Sequence, residues 1–264
     1  MGYQRERSEA YKPGQKAPYK VSRSKIELYV QCPRCFWLDA RLKIKRPDGP
    51  PFSINKAIDE LFKKEFDSYR AKGEPHPLMV EFGVAAIPFQ HVQLDTWRET
   101  FTGVVALHKS TNLHVFGAVD DLWVNEAGEV IVADYKATAK DRDVNINADW
   151  QMSYKRQMEV YQWLLRQNGL KVSDTGYFVY TNGRLDRDGF FNQVEFKTKI
   201  IPYTGSDAWV EPTLVEMKEC LEGDIPPVGR ARSSIPPAAA QWARGRSRER
   251  SWPTRIPIPT IRAL

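Results

Sequence analysis

The spacing of apolar positions changes along the chain, and the changes mark its elements. Over residues 53–71, Ile58, Leu61, Phe62 and Phe66 recur at three- and four-residue intervals, the stripe of an amphipathic helix. Over residues 150–167, Met158, Val160, Trp163, Leu164 and Leu165 form the packing surface of a longer helix, and Asn168-Gly169 follows in the stop position. Ser22 or Ser24 caps a first helix reaching about Gln31, where Pro33 interrupts it ahead of Phe36-Trp37-Leu38. A short helix is expected over 94–101, an irregular stretch from His76, and a last helix from Pro212 to Cys220. Shorter apolar runs predict strands over 104–108, 115–124, 129–137, 175–181 and 193–201, with Asn182-Gly183 as a turn. Strands, a long helix and further strands give an α-β-β-β-α-β order, an α/β fold with a mixed central sheet flanked by helices. No internal repeat is visible.

The alternation within 115–137 has a chemical consequence. A period of two puts Val130, Val132, Asp134 and Lys136 on one face and Ile131, Ala133 and Tyr135 on the other. If Asn125 pairs with Glu129 around a three-residue loop with Gly128 in the left-handed position, Asp120 falls opposite Asp134. Directly opposed side chains have Cβ atoms about 5 Å apart. Two such acids repel unless something positive lies between them. A divalent cation beside Lys136 meets that need. Hard oxygen ligands suit magnesium or manganese, and few protein ligands leave positions for water and a phosphate oxygen. The chemistry indicated is phosphodiester hydrolysis, with the lysine stabilising charge that develops on the phosphate. Gln157 and Tyr161, four residues apart, share one helix face, and Tyr154 extends it.

The blocks Gly117-Ala118-Val119-Asp120, Asp134-Tyr135-Lys136-Ala137-Thr138 and Gln157-Met158-Glu159-Val160-Tyr161, in this order and spacing, resemble the PD-(D/E)XK nuclease superfamily. Within it they are similar to the RecB-like branch that includes CRISPR-associated exonucleases. The stretch from Ser24 to Cys32-Pro33, with Phe36-Trp37-Leu38, looks like that branch's opening helix and Cys-Pro element, so the resemblance covers residues 22–228. It implies a restriction-endonuclease-like core and a Mg2+- or Mn2+-dependent deoxyribonuclease working in DNA repair, recombination or defence. Asp120 and Asp134 would be metal ligands, the Tyr135 carbonyl a third, and Lys136 would sit at the scissile phosphate. Gln157 and Tyr161 would position DNA, with Lys155 and Arg156 alongside. The family's first-helix Gly-x-x-x-His-Glu is matched by Asn55-Lys56-Ala57-Ile58-Asp59-Glu60, so Asp59 stands where histidine is usual and Glu60 is an auxiliary acid. That departure supports an alternative, a catalytically weakened or inactive nuclease-fold module that binds nucleic acid.

Composition refines this picture. At 264 residues and 42% hydrophobic content, the chain can bury one core of about 200 residues with appendages. No run approaches the roughly 20 apolar residues that span a bilayer. The polar start, Met1-Gly2-Tyr3-Gln4-Arg5-Glu6-Arg7, lacks a signal-peptide apolar region, so a cytoplasmic location is expected. Net charge is +6, yet residues 229–264 hold eight arginines against one acid, a balance of +7 that leaves −1 for the rest. Global basicity is therefore no argument for DNA binding by the body. That tail contains neither Lys nor Asp and reads as disordered, either a basic arm or an out-of-frame replacement of another C-terminus. Residues 1–20 read as a flexible arm and 21–228 as the nuclease-like domain. Of three cysteines, Cys32 and Cys35 are expected as buried thiols on the first helix. With Cys220 they fall one short of a four-cysteine site, so the iron–sulfur cluster of RecB-like relatives is not expected.

Overall fold

The computed structural model describes residues 9–47 and 53–228. Its elements run β1 (Tyr19–Ser22), α1 (Arg23–Gln31), α2 (Pro33–Leu42), α3 (Ser53–Arg70), α4 (Pro77–Glu81), β2 (Ala86–Pro88), α5 (Leu94–Arg98), β3 (Val104–His108), β4 (Leu113–Gly117) and β5 (Asp121–Asn125). There follow β6 (Val130–Ala139), α6 (Met152–Gln167), β7 (Thr175–Gly183), β8 (Phe196–Thr204) and α7 (Val210–Glu222). A five-stranded sheet has the order β2-β5-β6-β7-β8, and a three-stranded sheet the order β1-β4-β3. In the larger sheet β6 and β7 are parallel, because α6 carries the chain back between them, and the other pairs are antiparallel. This is the mixed α/β, restriction-endonuclease-like architecture.

The period-two reading of β6 is realised as two cores, one on each face of the sheet. Val130 and Val132 pack with Phe178, Tyr180 and the α6 residues Met158 and Leu165. Ile131, Ala133 and Tyr135 pack with Trp123, Val179 and Phe66, with Phe62 against them. A strand buried on both faces makes a rigid base for whatever its end carries.

Several local expectations are revised. The strand expected over 115–124 is two strands in different sheets, broken at Ala118–Asp120. Pro33 begins a helix rather than ending order, since its missing N–H costs nothing at a first helical position. A short helix, α4, occupies the stretch expected to be irregular after His76. Asn182 and Gly183 do not turn; they complete β7. In α3, Leu61 is exposed at 62%, so the apolar stripe is narrower than its spacing suggested. Cys32 and Cys35 are not free thiols on one helix: Cys32 caps α2, where the two form a disulfide, and the Cys220 Sγ lies 3.9 Å from the Pro33 carbonyl.

Residues 9–20, read as part of an arm, are packed on the body. Tyr11 is buried edge-on against Tyr19, and its hydroxyl donates to Glu222. The Gly14 N–H donates to the same carboxylate at 2.9 Å, and β1 runs parallel to β4. The segment 229–264 lies outside the described residues. Among those described, no helix is long and apolar enough to cross a membrane.

Candidate active site

The β5–β6 hairpin forms as its sequence dictates. Gly128 has φ +71°, the Gly128 N–H reaches the Asn125 carbonyl at 3.0 Å, and the Asn125 N–H reaches that of Glu129 at 3.1 Å. The ladder then pairs Val124 with Val130 and so on to Asp121 with Ala133, which leaves Asp120 at the position opposite Asp134. Asp120 lies beyond the strand, and its Oδ2 accepts the Tyr135 N–H at 2.9 Å, replacing a strand neighbour by a carboxylate. In the break before it the backbone finds a partner outside the sheet. The Val119 N–H is taken by the Trp97 carbonyl at 3.0 Å. At Gly117, a Cβ would stand 2.7 Å from the Tyr161 ring, so only glycine lets α6 come this close.

Asp134 and Lys136, two residues apart on β6, form an ion pair on the face covered by α6. Asp134 is fully buried, and its Oδ1 accepts from the Gln157 Nε2 at 2.9 Å. The same amide lies 3.1 Å from the Tyr161 hydroxyl. The Lys136 ammonium stands 4.8 Å above the Tyr154 ring and 3.4 Å from the Tyr135 carbonyl. Burial, together with the facing Asp134, pushes the Asp120 carboxyl up to about 7, against the opposing pull of Lys136 and the Tyr135 N–H. Burial alone would lower the Lys136 ammonium, but Asp134 and Asp120 outweigh it and hold its pKa above the ordinary value. Two acids thus share one ammonium in a water-poor place. Carboxylate and carbonyl oxygens are the donors that hard divalent cations favour. No group of three or more His, Cys, Asp or Glu residues is arranged for a metal among the described residues.

The other residues expected at the site fare unequally. Asp59 comes near Asp120 in charge but is tied to Lys63, whose Nζ lies 2.7 Å from its Oδ2. Burial and the Asp120 charge raise the Asp59 carboxyl above its usual range, and Lys63 opposes them. Glu60 lies on the outer side, half exposed and 3.7 Å from Lys63. The Arg156 guanidinium is held by Glu27 through two bonds of 2.8 and 2.7 Å, which join α6 to α1. Lys155 sits over the Tyr203 ring at 5.4 Å.

The sequence reading missed the network on the opposite face. Asp121 is fully buried and accepts from Arg70, from Arg98 at 2.7 Å and from the Tyr135 hydroxyl at 2.8 Å. Asp67 accepts two bonds of 2.9 Å from Arg98 and one of 3.0 Å from Arg70. Only the Asp67–Arg70 pair, three apart on a helix, was readable from spacing.

The sequence model of the PD-(D/E)XK nuclease superfamily matches residues 53–228. No curated protein matches the chain. Among solved structures, the crystal structure of SSO0001 shares 15% identity over 78% of each chain with a TM-score of 0.35. With a match over about two thirds of its length, and with the matched blocks meeting at one end of one sheet, the chain belongs to the PD-(D/E)XK nuclease superfamily.

Proposed function

We propose that the protein is a metal-dependent deoxyribonuclease of the RecB-like branch. The observation that carries this reading is the convergence of Asp120, Asp134 and Lys136 at the end of β6, with Gln157 bonded to Asp134. Asp120 and Asp134 would hold Mg2+ or Mn2+ with the Tyr135 carbonyl. Such an ion supplies water activation and neutralises charge on the phosphate. The chain's own residues do the rest. Gln157 fixes the Asp134 carboxylate, and the Tyr161 hydroxyl supports that amide from the same helix face. Lys136, kept protonated by the two acids and steadied over Tyr154, presents a positive charge where the phosphate becomes more negative. Asp59, with Lys63, is an auxiliary pair at the Asp120 side.

One observation favours a second reading. Because Asp59 is spent on Lys63, the site draws on two acids rather than three, as a binding module that no longer cuts would. A plasmid and oligonucleotide cleavage assay with Mn2+ decides between them. Wild-type protein is expected to cut, with Lys136→Ala slower by on the order of a hundred- to a thousandfold. Cutting that survives both Lys136→Ala and Asp134→Ala contradicts the assignment of these residues.

A further inference from the structure

An aromatic line leads away from Lys136. Its ammonium lies over Tyr154; the Tyr154 ring meets Trp150 edge-on at 5.4 Å; and Lys140 lies 5.1 Å above Trp150. Trp150 is 45% exposed, so part of its ring is open to solvent. At Lys140, β6 hands over to the next hairpin. The Lys140 N–H donates to the Asn182 side chain at 2.8 Å, and the Asn182 amide returns a bond to the Lys140 carbonyl at 2.9 Å.

The hairpin it joins is β7–β8. In the parallel register Lys136 faces Tyr180 and Ala139 faces Gly183, so the hairpin continues past the site in the direction in which β6 leaves it. At 3.3 Å per residue, Gly183 lies about 10 Å beyond the level of Lys136, and the tip lies farther on. Pairing persists through the Arg184 N–H to the Glu195 carbonyl at 2.8 Å. The tip carries Phe190 and Phe191, exposed at 66% and 83%. It is a formed turn: the Gln193 N–H reaches the Phe190 carbonyl at 2.7 Å, Phe191 has φ +39°, and Asn192 has φ +57°. The Phe191 ring folds over Gly189, where a Cβ would come within 2.7 Å of it. Two adjacent phenylalanines are thus exposed, Phe191 with its backbone in the left-handed region, and together they offer an apolar surface that a flat partner can cover.

We propose that Tyr154, Trp150 and the Phe190–Phe191 tip form a stacking track for unpaired bases of the strand whose phosphate reaches Lys136. Resting on the nuclease reading, the proposal makes single strands or frayed ends the preferred substrate. Bases stack on aromatic faces whatever their identity, and Lys140, over Trp150, is placed to meet a phosphate. The nearby Asp143 is answered by Lys197 and Lys199 at 3.4 and 2.9 Å, so it does not oppose a polyanion outright.

The test is binding of a 12-nucleotide single strand carrying 2-aminopurine, in EDTA so that nothing is cut. Wild type is expected to quench the fluorophore. The double variant Phe190→Ser/Phe191→Ser and the single variant Trp150→Ala are each expected to bind about ten- to a hundredfold more weakly with the quench reduced. Trp150→Phe should restore binding, which separates stacking from misfolding, and the exposed tip substitutions leave the circular dichroism unchanged. A blunt duplex of the same sequence should bind more weakly and be indifferent to the tip. Wild-type affinity in the tip variant, or equal affinity for blunt duplex, overturns the track. Adding Mn2+ to the same samples reports on cleavage separately. Stacking without cutting overturns the nuclease reading alone, and cutting without stacking overturns the track alone.

Discussion

Asp120 meets Asp134 and a single lysine on the face of β6 that carries α6, whereas Asp121, the next residue, meets two arginines on the face that carries α3. Each place holds a fully buried carboxylate, Asp134 in the first and Asp121 in the second, and both are built from the same kinds of side chain. In the second, Asp121 and Asp67 face Arg70 and Arg98, and two carboxylates balance two guanidiniums. The Arg98 guanidinium is held firmly protonated and Asp67 is pulled below its usual range, the mark of a satisfied network. In the first, two carboxylates face one ammonium, and Asp120 is pushed up to about 7. Balanced charge ties α3 and α5 to the sheet; unbalanced charge leaves a demand that a cation and a phosphate can meet together. Asp120 and Asp121 are adjacent in the chain, yet that single step exchanges the sheet's faces and with them the charged partners.

The comparison breaks most severely if Asp121 is neutralised. Asp121→Asn should destabilise the fold by about 3–5 kcal/mol, since it leaves two buried guanidiniums short of a counter-charge. Urea unfolding measures this, and a loss under 1 kcal/mol would show that the network carries little.

A smaller effect sharpens the other side. Folded Asp120 takes up a proton below about 7, and an unfolded aspartate only below about 3.8, so between those values the native state binds more protons. This group's contribution is therefore present at low pH and lost as pH rises through 7. Without a divalent ion, the melting temperature should fall from pH 6 to pH 8 on this account. Mn2+ should stabilise more at pH 8 than at pH 6, because protons then compete less, by roughly 2.7 kcal/mol at a hundredfold excess over its dissociation constant. A Mn2+ shift that is absent, or larger at pH 6, contradicts the assignment.

The smallest effect lies far from the site. Lys218 and the Tyr11 hydroxyl hold Glu222 down to about 2, so its contribution is present above its ordinary value of 4.5 and lost as pH falls through 2. Glu222→Gln should cost under about 1 kcal/mol at pH 6 in thermal melts, with the difference from wild type closing towards pH 2. A difference that stays constant across that range would mean the carboxylate's charge is not what anchors residues 9–20.

The two sides of the comparison were not equally legible in the sequence. The pairing of Asp120 with Asp134 followed from the hairpin loop and a period of two, because local turn geometry fixes register. Gln157 and Tyr161 followed from helical spacing. Lys63, four residues after Asp59, was readable by the same rule and weakens the role expected of Asp59. Arg70, Arg98 and Asp121 are separated by 23 to 51 residues, and nothing local announces that they meet. The pairing of Arg156 with Glu27, 129 residues away, was hidden for the same reason. The break at Ala118–Asp120 was hidden for a related reason, since the competing partner of Val119, the Trp97 carbonyl, comes from elsewhere in the chain.

The most direct test of the central claim is Asp120→Asn, measured for melting temperature without divalent ion at pH 8, for the Mn2+-induced shift, and for cleavage. The substitution keeps an oxygen for the Tyr135 N–H and removes the charge that repels Asp134. The account predicts a higher melting temperature than wild type, little response to Mn2+ and loss of cleavage. A lower melting temperature with cleavage intact would contradict it, and would place Asp120 with Asp121 among the residues that only hold the fold together.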